Sequence, residues 1–314
     1  MDFPDIASDS TRWRVAVCIC TYRRPEVLRT LLRRLVDVAA DAAEIADVGV
    51  VVVDDDPDNS AKDVIDEFRS SFALGLRDAN SASGNIAIAR NTALQLGLEA
   101  GEWLAMIDDD CLPGSDWIRQ LLAVQARFGA DAVSGTCIDT FAPDAPAWLR
   151  DEPFLHEFMS IEDGSRIDVG AIKNTLISAE FVRRTGLRFD VPFGRLGAED
   201  VLFMYTAHRL GIHHRFAAAA IVREEVPPSR ATLRYQLRRR LWYGTTESLS
   251  CVASRRYGRG RMFVSGLKKA VLGATRPARR LATGRSIQWR FAVADTLHGL
   301  GRMLGATGFK LRHR

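Results

Sequence analysis

The 314-residue sequence has no apolar run near the roughly 18 residues that a membrane-spanning helix needs; its longest apolar stretches are Val48–Val53 and Phe216–Val222. Cysteine is scarce and odd in number, at five, so no disulfide framework is implied and a reduced, cytoplasmic setting is expected. Met1–Thr11 is acidic and lacks the basic-then-apolar order of a secretory signal. Phosphate cradles of the common kinds are missing as well. The turn after the first strand-like segment reads Thr21-Tyr22-Arg23-Arg24, not G-x-G-x-x-G, and no G-x-x-x-x-G-K-[ST] occurs, which argues against nicotinamide, flavin and P-loop chemistry. No Cys/His spacing suits zinc: Cys18 and Cys20 lie two apart in a strand-like segment, facing one way, as core residues do. His208, His213 and His214 read as structural or surface residues, and no repeat or low-complexity tract is present.

Acid is nearly absent from the last part of the chain. Residues 229–314 hold 20 Lys+Arg but only Glu247 and Asp295, a balance of +18, whereas residues 1–228 hold 23 basic and 37 acidic residues, a balance of −14. The net charge of +4 hides this asymmetry. It places a boundary near Pro227-Pro228 and divides the chain into an N-terminal tail (1–13), a large domain (14–228) and a basic helical region (229–314), whose two main parts should meet different partners.

What is present is strand–helix alternation. Arg14–Cys20 is β-branched and apolar, so it reads as a buried strand, followed by Leu28, Leu31, Leu32 and Leu35 at helical spacing. Val48–Val53 is a second strand, stopping at Asp54-Asp55-Asp56-Pro57, with a helix over 60–72. A further helix over 85–98 leads to a third strand, Trp103–Ile107, which also stops at three aspartates, Asp108-Asp109-Asp110. This order predicts a parallel sheet covered on both faces. Helices are expected over 117–128, 179–185 and 199–210, strands over 132–135 and 172–178, irregular chain over 139–168, and Arg-rich helix from Ala231 onward.

Ligands of open parallel sheets bind beyond the carboxyl ends of the strands. Three such ends carry concentrated polarity: Thr21–Arg24, Asp54–Asp56 and Asp108–Asp110. An Asp after a strand is often only a helix cap or a turn residue. Two aspartate triplets after two strands of one sheet are harder to explain that way. Aimed at one crevice, they would repel each other and call for a cation; an oxygen-only ligand set favours Mg²⁺ or Mn²⁺, which commonly bridge carboxylates to phosphates.

The segments CICTYRRPEVLRTLL, VVVDDDPDNS, GNIAIARNTAL, WLAMIDDDCLPGSDWI and GAEDVLF occur in the order and spacing of the family 2 glycosyltransferases, and residues 14–245 resemble that family. The resemblance implies a GT-A fold: an α/β, Rossmann-like, mostly parallel central sheet with helices on both faces, here with a helical C-terminal extension. It also implies inverting transfer of a sugar from a nucleoside diphosphate, commonly uridine diphosphate, to an acceptor hydroxyl. On that resemblance Thr21, Tyr22 and Arg24 line the nucleotide pocket, Asp54, with Asp55 beside it, meets the base edge, and Arg90 lies over the nucleotide. Asp108 and Asp110 are the outer members of the D-x-D signature; Asp110 would hold the metal and Asp108 would face the ribose or a metal-bound water. Glu199-Asp200 matches the E-D motif, with Asp200 as catalytic base and Glu199 in reserve. A carboxylate that takes the acceptor proton contributes roughly 10²–10⁴-fold; the plainer alternative is that the pair caps the helix that follows, and the two roles are compatible.

One departure stands out. Many relatives carry a metal-ligating His some 25 residues after the E-D pair, and here the stretch Val222–Arg230 has none. Glu225 or Glu224 would take its place as an oxygen ligand, or the D-x-D alone would hold the metal. Arg239 and Arg240, in Arg238-Arg239-Arg240, either reach the diphosphate as guanidinium forks or form a solvated basic face. Residues 255–314 alternate basic clusters with apolar stretches, which fits either a surface helix on anionic lipid, suited to a lipid-linked acceptor in polysaccharide or glycolipid assembly, or an extension that closes the acceptor site or makes an oligomer. Nucleic acid is not expected as a partner, and Trp148–Phe158 is expected on the acceptor side. Two rival readings remain at this level: a sugar-1-phosphate nucleotidyltransferase, which would want a glycine- and arginine-rich first loop, and a non-catalytic basic scaffold.

Overall fold

Trp13–Thr21 forms the first strand because five consecutive residues, Val15–Ile19, are apolar and fully enclosed, the signature of a central strand covered on both faces. A computed structural model describes residues 12–152, 155 and 161–311. In chain order the elements are β1 (Trp13–Thr21), α1 (Pro25–Ala42), β2 (Ala46–Asp54), α2 (Lys62–Glu67), β3 (Leu76–Asn80), α3 (Ile86–Ala100), β4 (Trp103–Asp108), β5 (Cys111–Pro113), α4 (Trp117–Phe128), β6 (Ala132–Phe141), α5 (Trp148–Asp151), a 3-10 turn (Ile172–Asn174), β7 (Thr175–Ser178), α6 (Ala179–Thr185), α7 (Val191–Gly194), α8 (Glu199–Arg209), β8 (His214–Val226), α9 (Leu233–Ala253), α10 (Arg259–Ala282) and α11 (Trp289–Ala306).

The eight strands form one sheet in the order β3-β2-β1-β4-β7-β6-β8-β5. Its first four strands pair in parallel; β4–β7, β6–β7 and β5–β8 are antiparallel. The sheet is therefore mixed, parallel only in the half that the strand–helix alternation made legible. Edge strand β3 (LRDAN) and β5, three residues long, carry too little periodicity to be read in advance, and β8 is seen in the sequence only as an apolar run. The helix expected over 60–72 shortens to Lys62–Glu67, and the strand expected over 132–135 runs on to Phe141. The 1–13 tail lies outside the described residues except for Arg12 and Trp13, as does much of Trp148–Phe158.

Helix α1 shows what holds the sheet's covering in place. Pro25 opens it, where the missing N–H costs nothing, and Leu28, Leu31, Leu32, Leu35 and Val38 are fully buried. Burial of each such side chain contributes about 1.5–3 kcal/mol. The exposed Arg29–Glu67 pair at 2.9 Å contributes at most about 1 kcal/mol, so packing rather than charge fixes α1. All five cysteines are free; burial pushes the Cys18 thiol up to about 12, consistent with a core role. His214 is likewise structural, its Nε2 lying 2.8 Å from the Ser134 hydroxyl.

The chain forms two compact units. The first comprises residues up to Ile138, Ile161–Val191 and Leu210–Glu224, and contains the parallel half of the sheet; the second comprises Asp139–Ser160, Pro192–Arg209 and Glu225–Arg314, and contains α8 to α11. The division falls close to the charge boundary at Pro227-Pro228, but the second unit also recruits two earlier segments that its composition did not announce.

Candidate active site

Strand register aligns the polar ends. Thr21 pairs with Asp54, Cys20 with Asp108 and Asp54 with Asn80, so β1, β2, β3 and β4 all end at one edge of the first unit. There Thr21 Oγ1 donates to Asp109 Oδ2 at 2.7 Å. Arg24 Nη1 donates to Asp109 Oδ1 at 3.2 Å and to Asp110 Oδ2 at 2.9 Å. Arg90, buried on α3, donates from Nη2 to Asp108 Oδ1 at 2.7 Å and lies 5.8 Å from the centre of the Phe189 ring. α3 is itself fixed at its start by Asn85, whose side chain accepts from the Ala87 N–H at 3.1 Å. Thr21, Arg24, Arg90 and the Asp108–Asp110 triplet thus form one cluster; Tyr22, also expected there, is half exposed and lies under the Arg23 guanidinium.

The three aspartates of this triplet differ in character. Asp109 is enclosed, and burial pushes its carboxyl up to about 6, against the pull of Thr21 and Arg24. Asp110 is also raised, first by burial and then by the charge of Glu224. Glu224 comes close because Cys111 is paired with it across β5–β8. Lys173 forms an ion pair with Glu224. Glu225 is exposed and points to the opposite face of the strand, so the acidic neighbour of Asp110 is Glu224. Ala220, Val222 and Glu224 alternate on one face, but it is the pairing of β8 with β5 that brings that face to Asp110.

The Asp54–Asp56 triplet has a different occupation. Asp54 is wholly buried, and its two oxygens accept from the N–H groups of Asp56 (2.9 Å) and Ala61 (2.8 Å). Asp55 accepts from Ser81 Oγ (2.6 Å), Ser83 Oγ (2.8 Å) and the N–H groups of Ser83 (2.8 Å) and Asn85 (3.0 Å). Burial opposes its ionisation, but these bonds outweigh burial and hold the carboxyl below the usual range. Asp54 thus braces the loop after β2, and Asp55 ties that loop to the β3–α3 loop. Ser81 and Ser83 were not singled out in the sequence, since lone serines in a loop carry no periodic signal.

Glu199 and Asp200 belong to the second unit, in the first turn of α8, where Asp200 Oδ1 accepts from the Val201 N–H at 2.8 Å. The approach to this turn is fixed by α9: Trp242 Nε1 donates to Leu196 O at 3.1 Å, and Gly197, at φ +71°, leaves no room for a Cβ, which would lie 2.9 Å from the Trp242 ring. Arg239 stacks on Tyr243 at 4.9 Å. Arg240 is turned inside this unit and buried.

Among the described residues no three His, Cys, Asp or Glu side chains converge closely enough to hold an ion, and no helix is long and apolar enough to cross a membrane. The model of glycosyl transferase family 2 matches residues 16–186. The chain belongs to that family. It is a glycosyltransferase, which sets aside the nucleotidyltransferase and scaffold readings. It is 31% identical over 297 residues to the succinoglycan biosynthesis protein ExoM of Rhizobium meliloti (strain 1021), covering 94% of each chain. Against the validoxylamine A glucosyltransferase of Streptomyces hygroscopicus subsp. jinggangensis it is 27% identical, over 63% of this chain and 52% of that one. Among solved structures it resembles the mannosyltransferase PcManGT of Pyrobaculum calidifontis in complex with GDP-Man and Mn²⁺, with a TM-score of 0.56 at 19% identity over 92% of this chain and 88% of that one. It also resembles S. aureus TarS 1-349 in complex with UDP, with a TM-score of 0.54 at 15% identity over 92% and 89%. These likenesses establish the GT-A fold of the family.

Proposed function

We propose that this glycosyltransferase moves a sugar from a nucleoside diphosphate donor, with uridine as the leading base, to an acceptor hydroxyl with inversion, dependent on Mg²⁺ or Mn²⁺, in polysaccharide or glycolipid assembly. One observation carries the reading: Thr21, Arg24, Arg90 and Asp108–Asp110 meet at the aligned carboxyl ends of β1 and β4. Support comes from the succinoglycan assignment of the similar Rhizobium protein and from the UDP and GDP-Man complexes of proteins sharing the fold.

The donor chemistry suits a hard divalent ion, although among the described residues no three carboxylates converge on one point. Asp108, Asp110 and Glu224 offer only carboxylate oxygens, balanced by Arg90, Arg24 and Lys173; burial first, and then the charge of Glu224, raises the Asp110 carboxyl. Asp110 and Glu224 would hold the ion, and Asp108 would face the ribose or an ion-bound water; the role foreseen for Glu225 passes to Glu224. When bound, such an ion stabilises charge on the departing diphosphate. Arg90 and Arg24 add guanidinium donors to that charge. Thr21 and Tyr22 line the nucleotide pocket, whose walls Asp54 and Asp55 shape through the loop bonds described above. Asp200 takes the acceptor proton, with Glu199 in reserve, on the strength of the E-D motif. Arg239 is retained as a diphosphate contact, while the burial of Arg240 suits a packing role. The acceptor is lipid-linked, and the enzyme works from the cytoplasmic side as a peripheral protein.

A panel of nucleotide-sugars with Mn²⁺, read by thermal unfolding, tests the reading. A donor at 100-fold excess over its Kd stabilises the native state by about 2.7 kcal/mol. Metal-dependent stabilisation by one donor is expected, together with loss of turnover by about 10²–10⁴-fold in Asp200→Asn. A full panel without any metal-dependent shift would refute the donor reading.

A further inference from the structure

The second unit, taken by itself, is turned partly inside out. Helix α11 meets α9 through small and polar side chains: Thr245 and Ser248 are buried, Ser248 Oγ donates to Arg302 O at 2.7 Å, and a Cβ on Gly244 or Gly301 would lie 2.1 Å from a carbonyl oxygen of the opposite helix. The inward stripe of α10 is Met262, Gly266, Ala270 and Gly273, whereas Val264, Leu267 and Val271 point to solvent, Val264 at 64% exposure, and Phe263 lines an open apolar groove with Leu241 and Leu300. Aqueous packing favours the reverse arrangement, and a contiguous exposed apolar stripe marks an interaction surface.

Charge says what the stripe meets. The two carboxylates of residues 229–314 are already engaged: Glu247 with His298 and Arg302, and Asp295 with Lys269 at 2.9 Å and Arg276 at 3.0 Å. Toward the C-terminal end of α10 a cavity of about 360 Å³ is lined by Arg276, Arg279, Arg280 and Arg285 together with Leu272 and Thr283. Arg279 and Arg285 have no carboxylate partner among the described residues. Arg276 is held by Asp295 and Arg280 by the Ser286 carbonyl, which leaves the forked donors of Arg279 and Arg285 to suit a phosphate. Beside it, Leu272 and Leu281 are exposed, Leu281 at 68%. A second copy of the chain would set cation against cation at this face, and nucleic acid would leave the apolar stripe uncovered. An anionic bilayer satisfies both features, taking the apolar side chains at its headgroup boundary and the arginines at its phosphates.

We propose that α10 lies in the surface of an anionic bilayer, with Val264, Leu267 and Val271 inserted, Phe263 beside them, and with Arg279 and Arg285 gripping a lipid phosphate headgroup. This rests on the peripheral part of the proposed function and not on the transfer chemistry.

Flotation of the full chain with vesicles of phosphatidylcholine alone, or of phosphatidylcholine mixed with phosphatidylglycerol, tests it. Binding is expected only to the mixed vesicles and is expected to weaken with salt. Arg279→Gln/Arg285→Gln should bind about 30-fold more weakly, the equivalent of about 1 kcal/mol per basic residue. Arg279→Lys/Arg285→Lys should recover only part of the loss, because the forks are gone. Val264→Ser/Leu267→Ser should also release the protein; should that pair fold poorly, the exposed arginine variants still decide. Equal binding to both vesicle types, full recovery by lysine, or a lipid-independent dimer formed through this face would overturn the proposal. Metal-dependent stabilisation by a nucleotide-sugar, measured on the same variants, reports the transfer reading separately and should not change.

Discussion

The guanidinium of Arg90 reaches from α3 to the end of β4 and donates to Asp108 at 2.7 Å while remaining almost wholly buried. A buried cation aimed at the outer carboxylate of a D-x-D sequence is preorganised to meet charge that develops beside it. Such donors are worth about 10²–10³ in kcat. Arg90→Ala is expected to lower kcat/KM by that order, and Arg90→Lys, which keeps the charge but loses the fork, to restore only part of it. Steady-state kinetics with the donor identified by the panel decide; a wild-type rate in Arg90→Ala would remove Arg90 from the site.

Glu224 and Glu225 offer a contrast between adjacent residues. Glu224→Gln is expected to raise the Mn²⁺ concentration for half-maximal activity by about 10–100-fold, the usual penalty for disturbing a metal's surroundings. Glu225→Gln, exposed on the other face of β8, should stay within about twofold, as surface changes generally do. The reverse order would return the metal role to Glu225.

Asp54 is expected to act through the fold. Its two oxygens accept main-chain N–H groups, and Asn would turn one acceptor into a donor facing a donor. A buried group left unsatisfied in this way costs about 1–3 kcal/mol. Asp54→Asn should therefore lower the melting temperature while leaving the donor Kd of the folded fraction nearly unchanged. A large rise in Kd at constant melting temperature would restore a direct contact with the base.

Acid should loosen the helical unit. Burial opposes ionisation of Glu247, but hydrogen bonds from His298 and Arg302 prevail and set its carboxyl at about 2. A folded-state value below the usual 4.5 contributes stability that is fully present above 4.5 and is lost as the pH falls toward 2, on the order of 3 kcal/mol. His298 is also lowered, by burial, so its protonation below about 6.5 favours the unfolded chain as well. Both effects have the same sign. Unfolding midpoints should fall steadily from neutral pH to pH 3, and Glu247→Gln should flatten the acid limb of that curve; an unchanged slope would mean that the ion pair carries no such stability.

Much of the first unit was legible beforehand because its signals are local. Val15–Ile19, the leucines of α1 and the span of α6 follow from periodicity and capping, and the D-D-D endings mark where strands stop. β3 and β5 were not legible, since short polar or edge strands owe their conformation to partners far away in sequence. The same holds for the site. Asp54 and Asp108 look alike in the sequence, each opening a triplet after a buried strand, yet one is spent on main-chain amides and the other faces Arg90.

The sequence by itself determined the alternating elements, the charge boundary and the family, because hydrophobic period, turn chemistry and motif order are written along the chain. Only the tertiary structure decided that Glu224 rather than Glu225 neighbours Asp110, that Arg24 bridges Asp109 and Asp110, and that α10 turns Val264, Leu267 and Val271 outward. Those outcomes depend on strand register and helix packing between residues up to about a hundred or more positions apart, and no local pattern encodes which of two adjacent side chains a distant partner will meet.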